Sequence, residues 1–177
     1  MEHDDGTAEA EYRSERSYRV PATPEQVWEA IATAHGVSSW MVPTRLDPRV
    51  GGEVSFDLGG FTSTGVVTHC TPPTRFAYRE PWPLGDRVED IPPGMLAWLA
   101  SIGVPLDRVA ETLPRVGPVA TEFLVEAASG GSCVIRIVTS SYGTGADWER
   151  EFFDEMVGST VPIWDRLAAH LSAETAR

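Results

Sequence analysis

Lysine is missing from this chain altogether, and its 14 basic residues, all arginines, are scattered among 26 acids for a net charge of -12. Binding to phosphate backbones draws on a basic patch that releases counterions, so the balance argues against nucleic acid as a partner. It disfavours anionic membrane surfaces for the same reason. Long apolar runs are missing too. No stretch approaches the roughly 18 residues of a membrane-spanning helix, which excludes membrane insertion. Cysteine is scarce. Cys70 and Cys133 both stand in strand-like text and read as small buried hydrophobes rather than a disulfide framework. The four histidines, His3, His35, His69 and His170, show no ligand spacing, so no metal site is expected. No nucleophile elbow, Gly-rich phosphate loop or Ser-His-Asp pattern occurs, and no cofactor is expected. The opening MEHDDGTAEAE has no apolar core of the kind a secretory signal carries. Residues 1–11 read as a disordered acidic tail and the protein as cytoplasmic.

What is present suits one domain, since 177 residues with 42% apolar and 9% aromatic content can bury one sizeable core. Tyr12, Tyr18 and Val20 share one parity against Arg13, Glu15 and Arg19, the mark of a half-solvated strand. Thr23 as N-cap and Pro24 at the first helical position open a short helix with Val27, Trp28 and Ile31 at helical spacing. Gly36 ends it, and a second short turn follows over Val37 to Met41. Strands are then expected around Arg45, over Glu53 to Leu58, Thr62 to Cys70, Arg75 to Glu80, Ala120 to Ala127 and Ser132 to Ser141. Glycine and proline turns separate them, which is the spacing of an antiparallel meander. From Ala146 to about Leu171 a long helix carries apolar residues over half its circumference. Pro162 sits inside it without an N–H for the carbonyl of Gly158, so a kink is expected there. Residues 81–118 hold half of the 14 prolines and read as an insertion with two short amphipathic helices, GMLAWLASI and LDRVAETL.

Several stretches resemble the START-like superfamily, also called SRPBCC or polyketide-cyclase-like, in the branch named for the activator of heat-shock protein 90 ATPase. They are PATPEQVWEAI, SSWMVP, DPRVGGEVSF, GVVTHCTPPTRFAYRE, GGSCVIRIVTSSYG and DWEREFFDEMVGSTVPIWDRLAAHL, which cover residues 17–172 apart from the insertion. The resemblance implies an α+β helix-grip fold: a curved antiparallel sheet of six to seven strands wrapped around a long C-terminal helix, with two short helices after the first strand. It also implies one START-like domain over residues 12–172. Thr139 stands where relatives often carry a histidine. The eukaryotic activator has a second domain that binds the chaperone, for which this length leaves no room, and the superfamily spans carriers, cyclases and members without known ligand.

The implied functional feature is an apolar cavity between sheet and helix, of roughly 300 to 1,000 Å³ in such proteins. Its candidate lining is Trp40, Phe56, Tyr78, Phe123, Trp148, Phe152 and Met156, with Trp82 and Trp98 from the insertion as a lid. The plainer alternative is that these side chains only fill a core. For acid–base chemistry the candidates are Glu80, which shares parity with Phe76 and Tyr78, then Tyr78 itself and His69. Arg136 stands mid-strand among apolar residues and calls for an acid such as Glu126 on the neighbouring strand. The leading expectation is a binding protein for a small apolar or aromatic molecule. A cyclase- or hydratase-type enzyme and a co-chaperone-like interaction module acting through the insertion are the alternatives, and a homodimer stays open.

Overall fold

The computed structural model describes residues 10–175. Most of the expected acidic tail, residues 1–9, lies outside the described residues; Ala10 and Glu11, read from sequence as part of it, belong to the first strand instead. Their backbone pairs with the far end of the last strand, Ala10 opposite Gly143 and Glu11 opposite Tyr142, and that pairing overrides their polar local text.

Seven strands, β1 (Ala10–Val20), β2 (Thr44–Leu46), β3 (Glu53–Asp57), β4 (Thr62–Thr71), β5 (Arg75–Glu80), β6 (Val119–Ala127) and β7 (Cys133–Gly143), form one antiparallel sheet. Their spatial order is β1-β7-β6-β5-β4-β3-β2, a meander in which only β1 crosses over to pair with β7. Two short helices follow β1, α1 (Pro24–Ala32) and α2 (Ala34–Trp40). At the start of α1 the Thr23 hydroxyl accepts from the Gln26 N–H, and the Gln26 side chain accepts from the Thr23 N–H. That reciprocal box satisfies two donors the first turn would otherwise leave open. Thr33 plays the same part for α2 by accepting from the Gly36 N–H. Gly36 is packed so tightly on the Glu29 carbonyl that no Cβ would fit, and this close approach is what turns α1 sharply into α2.

The stretch between β5 and β6 contains two helices, α3 (Pro93–Ser101) and α4 (Leu106–Thr112). The long helix α5 (Asp147–Thr175) then crosses the sheet. Pro162 lies inside α5, which nevertheless continues on both sides of it as one element. Pro162 is on the exposed side, where water can take the carbonyl that lacks a donor. The Ser159 and Thr160 hydroxyls bond back to the carbonyls of Met156 and Val157 in the same stretch.

Two apolar clusters fill the interior. The first joins α1 and α2 to the middle of the sheet and the second half of α5, through Ile31, Trp40, Phe76, Phe123, Trp164 and Leu167 among others. The second joins the β5–β6 segment to the first half of α5, through Trp82, Leu84, Leu99, Val109, Phe152 and Phe153. Each such side chain contributes roughly 1.5–3 kcal/mol when fully buried. The β5–β6 segment is thus held by a core of its own rather than draped over the surface as a loop.

Arg136 finds a different partner from the one its sequence neighbourhood suggests. In the β6–β7 register Arg136 stands opposite Leu124, and Glu126 stands opposite Val134. Its guanidinium instead faces Glu15 on β1, with Nε 3.7 Å from the carboxylate.

Candidate functional site

Between sheet and helices, where the resemblance implies a cavity, the aromatic side chains meet one another. Phe56 and Tyr78 have ring centroids 5.4 Å apart, and Tyr78 and Phe123 6.5 Å. Phe123 meets Trp164 edge-on at 5.7 Å, and Trp164 lies 6.3 Å from Trp40. The Trp40 indole N–H donates to the Ala30 carbonyl at 2.9 Å, so its polar end is satisfied inside the core. The space left among Trp40, Phe56, Tyr78 and Phe123 is about 10 Å³, room for one water at most. These four residues share a site, and it is packed.

The open apolar space lies elsewhere. A groove of about 470 Å³ runs between α3 and the first half of α5, with Met95 and Trp98 on one wall and Phe152 and Met156 on the other. Pro83 and Pro92 close one side, and Phe61 reaches over from the turn between β3 and β4. Phe61 is 62% exposed, a large solvent-facing apolar side chain at the mouth of an apolar groove. Phe152 is the hinge of the arrangement, since its ring lies 5.2 Å from Trp98 and 5.2 Å from Trp82, which is buried behind it. The polar members of the lining are Glu155 and Ser159.

Trp148, which sequence grouped with Phe152 and Met156, lies one helical turn away in a second, polar cleft of about 580 Å³ with Arg108, Glu111, Asp147 and Glu151. Its indole N–H donates to the Thr112 hydroxyl at 3.1 Å and so pins α5 to α4. The cavity candidates therefore separate into three groups. Trp98, Phe152 and Met156 form the groove with Trp82 behind them; Trp40, Phe56, Tyr78 and Phe123 form the packed core; Trp148 is a brace.

Among the acid–base candidates, Glu80 and Tyr78 come together and His69 does not. Glu80 ends β5, half-buried, and the Ser63 hydroxyl donates to its Oε1 at 2.5 Å. Burial pushes the Glu80 carboxyl above the usual carboxylate range, with the Ser63 hydrogen bond acting in the opposite direction. Burial first, and then the nearby Glu80 charge, push the Tyr78 hydroxyl far above its ordinary value, opposed by a hydrogen bond with Thr121. His69 follows the irregularity in the β4–β5 pairing and is exposed. Among the described residues no group of three or more His, Cys, Asp or Glu could hold a metal ion. No helix there is long and apolar enough to cross a membrane.

Two features of the groove escaped the sequence reading. Phe61 follows Gly59-Gly60 directly, and an isolated aromatic in a turn between strands was the available signal. Glu155 was assigned to no face, because its role depends on where α3 lies, and helical periodicity says nothing of that.

A family model described as "Activator of Hsp90 ATPase homolog 1-like protein" matches residues 21–171. The chain belongs to that family. Solved structures agree on the fold. A protein of unknown function from Staphylococcus aureus, SA2116, aligns with a TM-score of 0.63 at 12% identity, over 96% of this chain and 99% of its own. Mll3558 from Rhizobium loti aligns at 0.59 and 19% identity, covering 93% of this chain and 99% of its own. The Aha1 dimer from Colwellia psychrerythraea aligns at 0.57 and 14%, covering 91% and 96%. No curated protein matches the chain. The α+β helix-grip architecture of the activator-like branch is thus established for this protein, with a curved antiparallel sheet against a long C-terminal helix.

Proposed function

We propose that this protein binds a small apolar or aromatic molecule in the groove between α3 and α5, with residues 81–118 acting as an insertion in a single START-like domain that supplies half of the site. The observation that carries the reading is the contrast in free volume, about 470 Å³ in the groove against about 10 Å³ between sheet and helices. A volume of several hundred cubic ångströms with mainly apolar walls and few polar groups is the usual character of a small-molecule site. The ligand position expected from the family resemblance thus moves from beneath the helix to its flank. Binding here asks for no cofactor and no covalent chemistry.

The test is direct. Naphthalene-based probes should quench or shift the tryptophan fluorescence of the intact chain, because Trp98 forms one wall. Met156→Arg, which projects a long charged side chain across the groove from a half-buried position, should abolish that response while the melting temperature changes by no more than a few degrees. An unchanged response in Met156→Arg, or none in the unmodified protein, overturns the reading.

A further inference from the structure

Four residues of α5 line the groove, Phe152, Glu155, Met156 and Ser159. Their spacing puts them on a single face of the helix, where residues three and four apart are neighbours. Two of them give that wall its polarity. Glu155 takes part in no salt bridge among the described residues. The Ser159 hydroxyl donates to the Met156 carbonyl at 2.6 Å, so its proton is taken and its oxygen remains as an acceptor. Both polar side chains are therefore acceptors, and among the described residues no basic side chain lines the groove.

The apolar part of the lining suits a positive charge. Trp98 and Phe152 bring two aromatic rings 5.2 Å apart, and Phe61 adds a third at the mouth. Aromatic rings are negative on their faces and attract ammonium ions, tryptophan most strongly. The start of α3 pulls the other way, because Gly94 is in the lining and the N-terminus of a helix carries roughly half an elementary positive charge. Against it stand the whole charge of the Glu155 carboxylate and a net charge of -12 on the chain. An organic cation entering the groove gains from this balance, and an anion loses.

Resting on the groove reading above, we infer that the ligand is an organic ammonium. Its apolar or aromatic body lies along Trp98, Phe152 and Met156, and its protonated amine sits at the mouth, donating to the Glu155 carboxylate and the Ser159 oxygen. Glu155 is exposed, so the charge stays partly hydrated while the body is buried. A cation placed there avoids the desolvation cost it would meet in the closed interior. Glu155 is thereby the residue that separates an amine from an alcohol or an acid of the same shape.

Three probes of nearly equal size test this on the full chain at neutral pH: 2-naphthylmethylamine, which is protonated there, 2-naphthylmethanol and 2-naphthoate, each titrated by tryptophan fluorescence and checked by calorimetry. The amine should bind about fivefold more tightly than the alcohol, the scale of a charged contact open to solvent, and naphthoate more weakly than either. Added salt should shrink the amine preference. In Glu155→Gln, a conservative change at an exposed position, the preference should vanish while affinity for the alcohol stays within about twofold. Asp154→Asn removes the same charge from a neighbouring exposed position outside the lining and should keep the preference. Equal binding of amine and alcohol, a preference that survives Glu155→Gln or is lost equally in Asp154→Asn, or naphthoate as the tightest ligand overturns the ammonium inference alone. Failure of all three probes to bind removes the groove reading and the inference with it.

Discussion

The hydroxyl of Tyr12 donates to Glu149 Oε2 at 2.7 Å, tying the first strand to the first turn of the last helix across 137 residues of sequence. Glu149 is fully buried, and the same carboxylate accepts from the Thr144 N–H at 2.8 Å, the Thr144 hydroxyl at 2.7 Å and the Gly145 N–H at 3.3 Å. Arg150 lies over the Tyr12 ring, 5.3 Å from its centroid. A buried charge is tolerated when every lone pair has a donor, and this one nearly achieves that. Gly143 is part of the arrangement, because a Cβ there would collide with the Glu149 carboxylate and press on the Tyr12 ring.

Gly143→Ala should therefore destabilise the protein by about 2–4 kcal/mol, through displacement of a buried, hydrogen-bonded carboxylate. Chemical denaturation checks it. Gly158→Ala is the control, since no atom lies near the added methyl on the exposed side of α5 and a glycine in a helix interior is replaced favourably by about 0.5–1 kcal/mol.

The Tyr12 hydroxyl also carries a pH signature. Burial, then the hydrogen bond to Glu149, push it from 10.0 up to about 12. A folded value above the unfolded one favours the protonated hydroxyl in the native state, so this stabilisation is complete below about pH 10 and is lost as pH rises toward 12. The stability difference between the unmodified protein and Tyr12→Phe should accordingly shrink by about 1.4 kcal/mol between pH 8 and pH 11. A constant difference across that range would show that Tyr12 ionises equally in both states.

Glu80 titrates in the opposite part of the scale. Burial raises its carboxyl above the ordinary value, so the protonated form is favoured in the fold, and the advantage is full at low pH and falls as pH rises through the native value. Glu80→Gln should leave the protein equally or more stable at pH 7, with the difference vanishing near pH 4. If instead Glu80→Gln is clearly destabilising at pH 7, the Ser63 contact outweighs the burial of the charge. A cyclase- or hydratase-type activity in this protein would depend on Glu80, and the same variant, remaining folded, would remove it.

These relationships show what local sequence can and cannot specify. The boundaries of β5, the β6–β7 turn and the Thr23 cap were legible, because period-two alternation, glycine pairs and a threonine before proline act within a few residues. The partner of Arg136 was not, because strand register and order are set by contacts across the whole sheet. Nor was the division of the aromatics into a packed core and an open groove. Phe123 and Phe152 are equally apolar and both buried, and only the position of α3 gives one of them a cavity beside it.

The two phenylalanines can be told apart by truncation. Phe123 is buried among Tyr78, Trp164 and the small void it shares with Trp40, Phe56 and Tyr78. Phe123→Ala should cost about 3–5 kcal/mol, the transfer term plus a cavity that the rigid aromatic neighbours cannot collapse. A dry apolar cavity of that kind takes up benzene, so saturating benzene should restore part of the lost stability. Phe152→Ala removes a side chain whose space opens onto the groove. Water or neighbouring side chains can enter it, and the loss should fall nearer 2–3 kcal/mol, with little recovery on adding benzene. Thermal melts of the two variants with and without benzene separate the cases. Equal rescue would mean that the groove closes over Phe152 as tightly as the sheet closes over Phe123, and that the free volume of the flank is not available to a ligand.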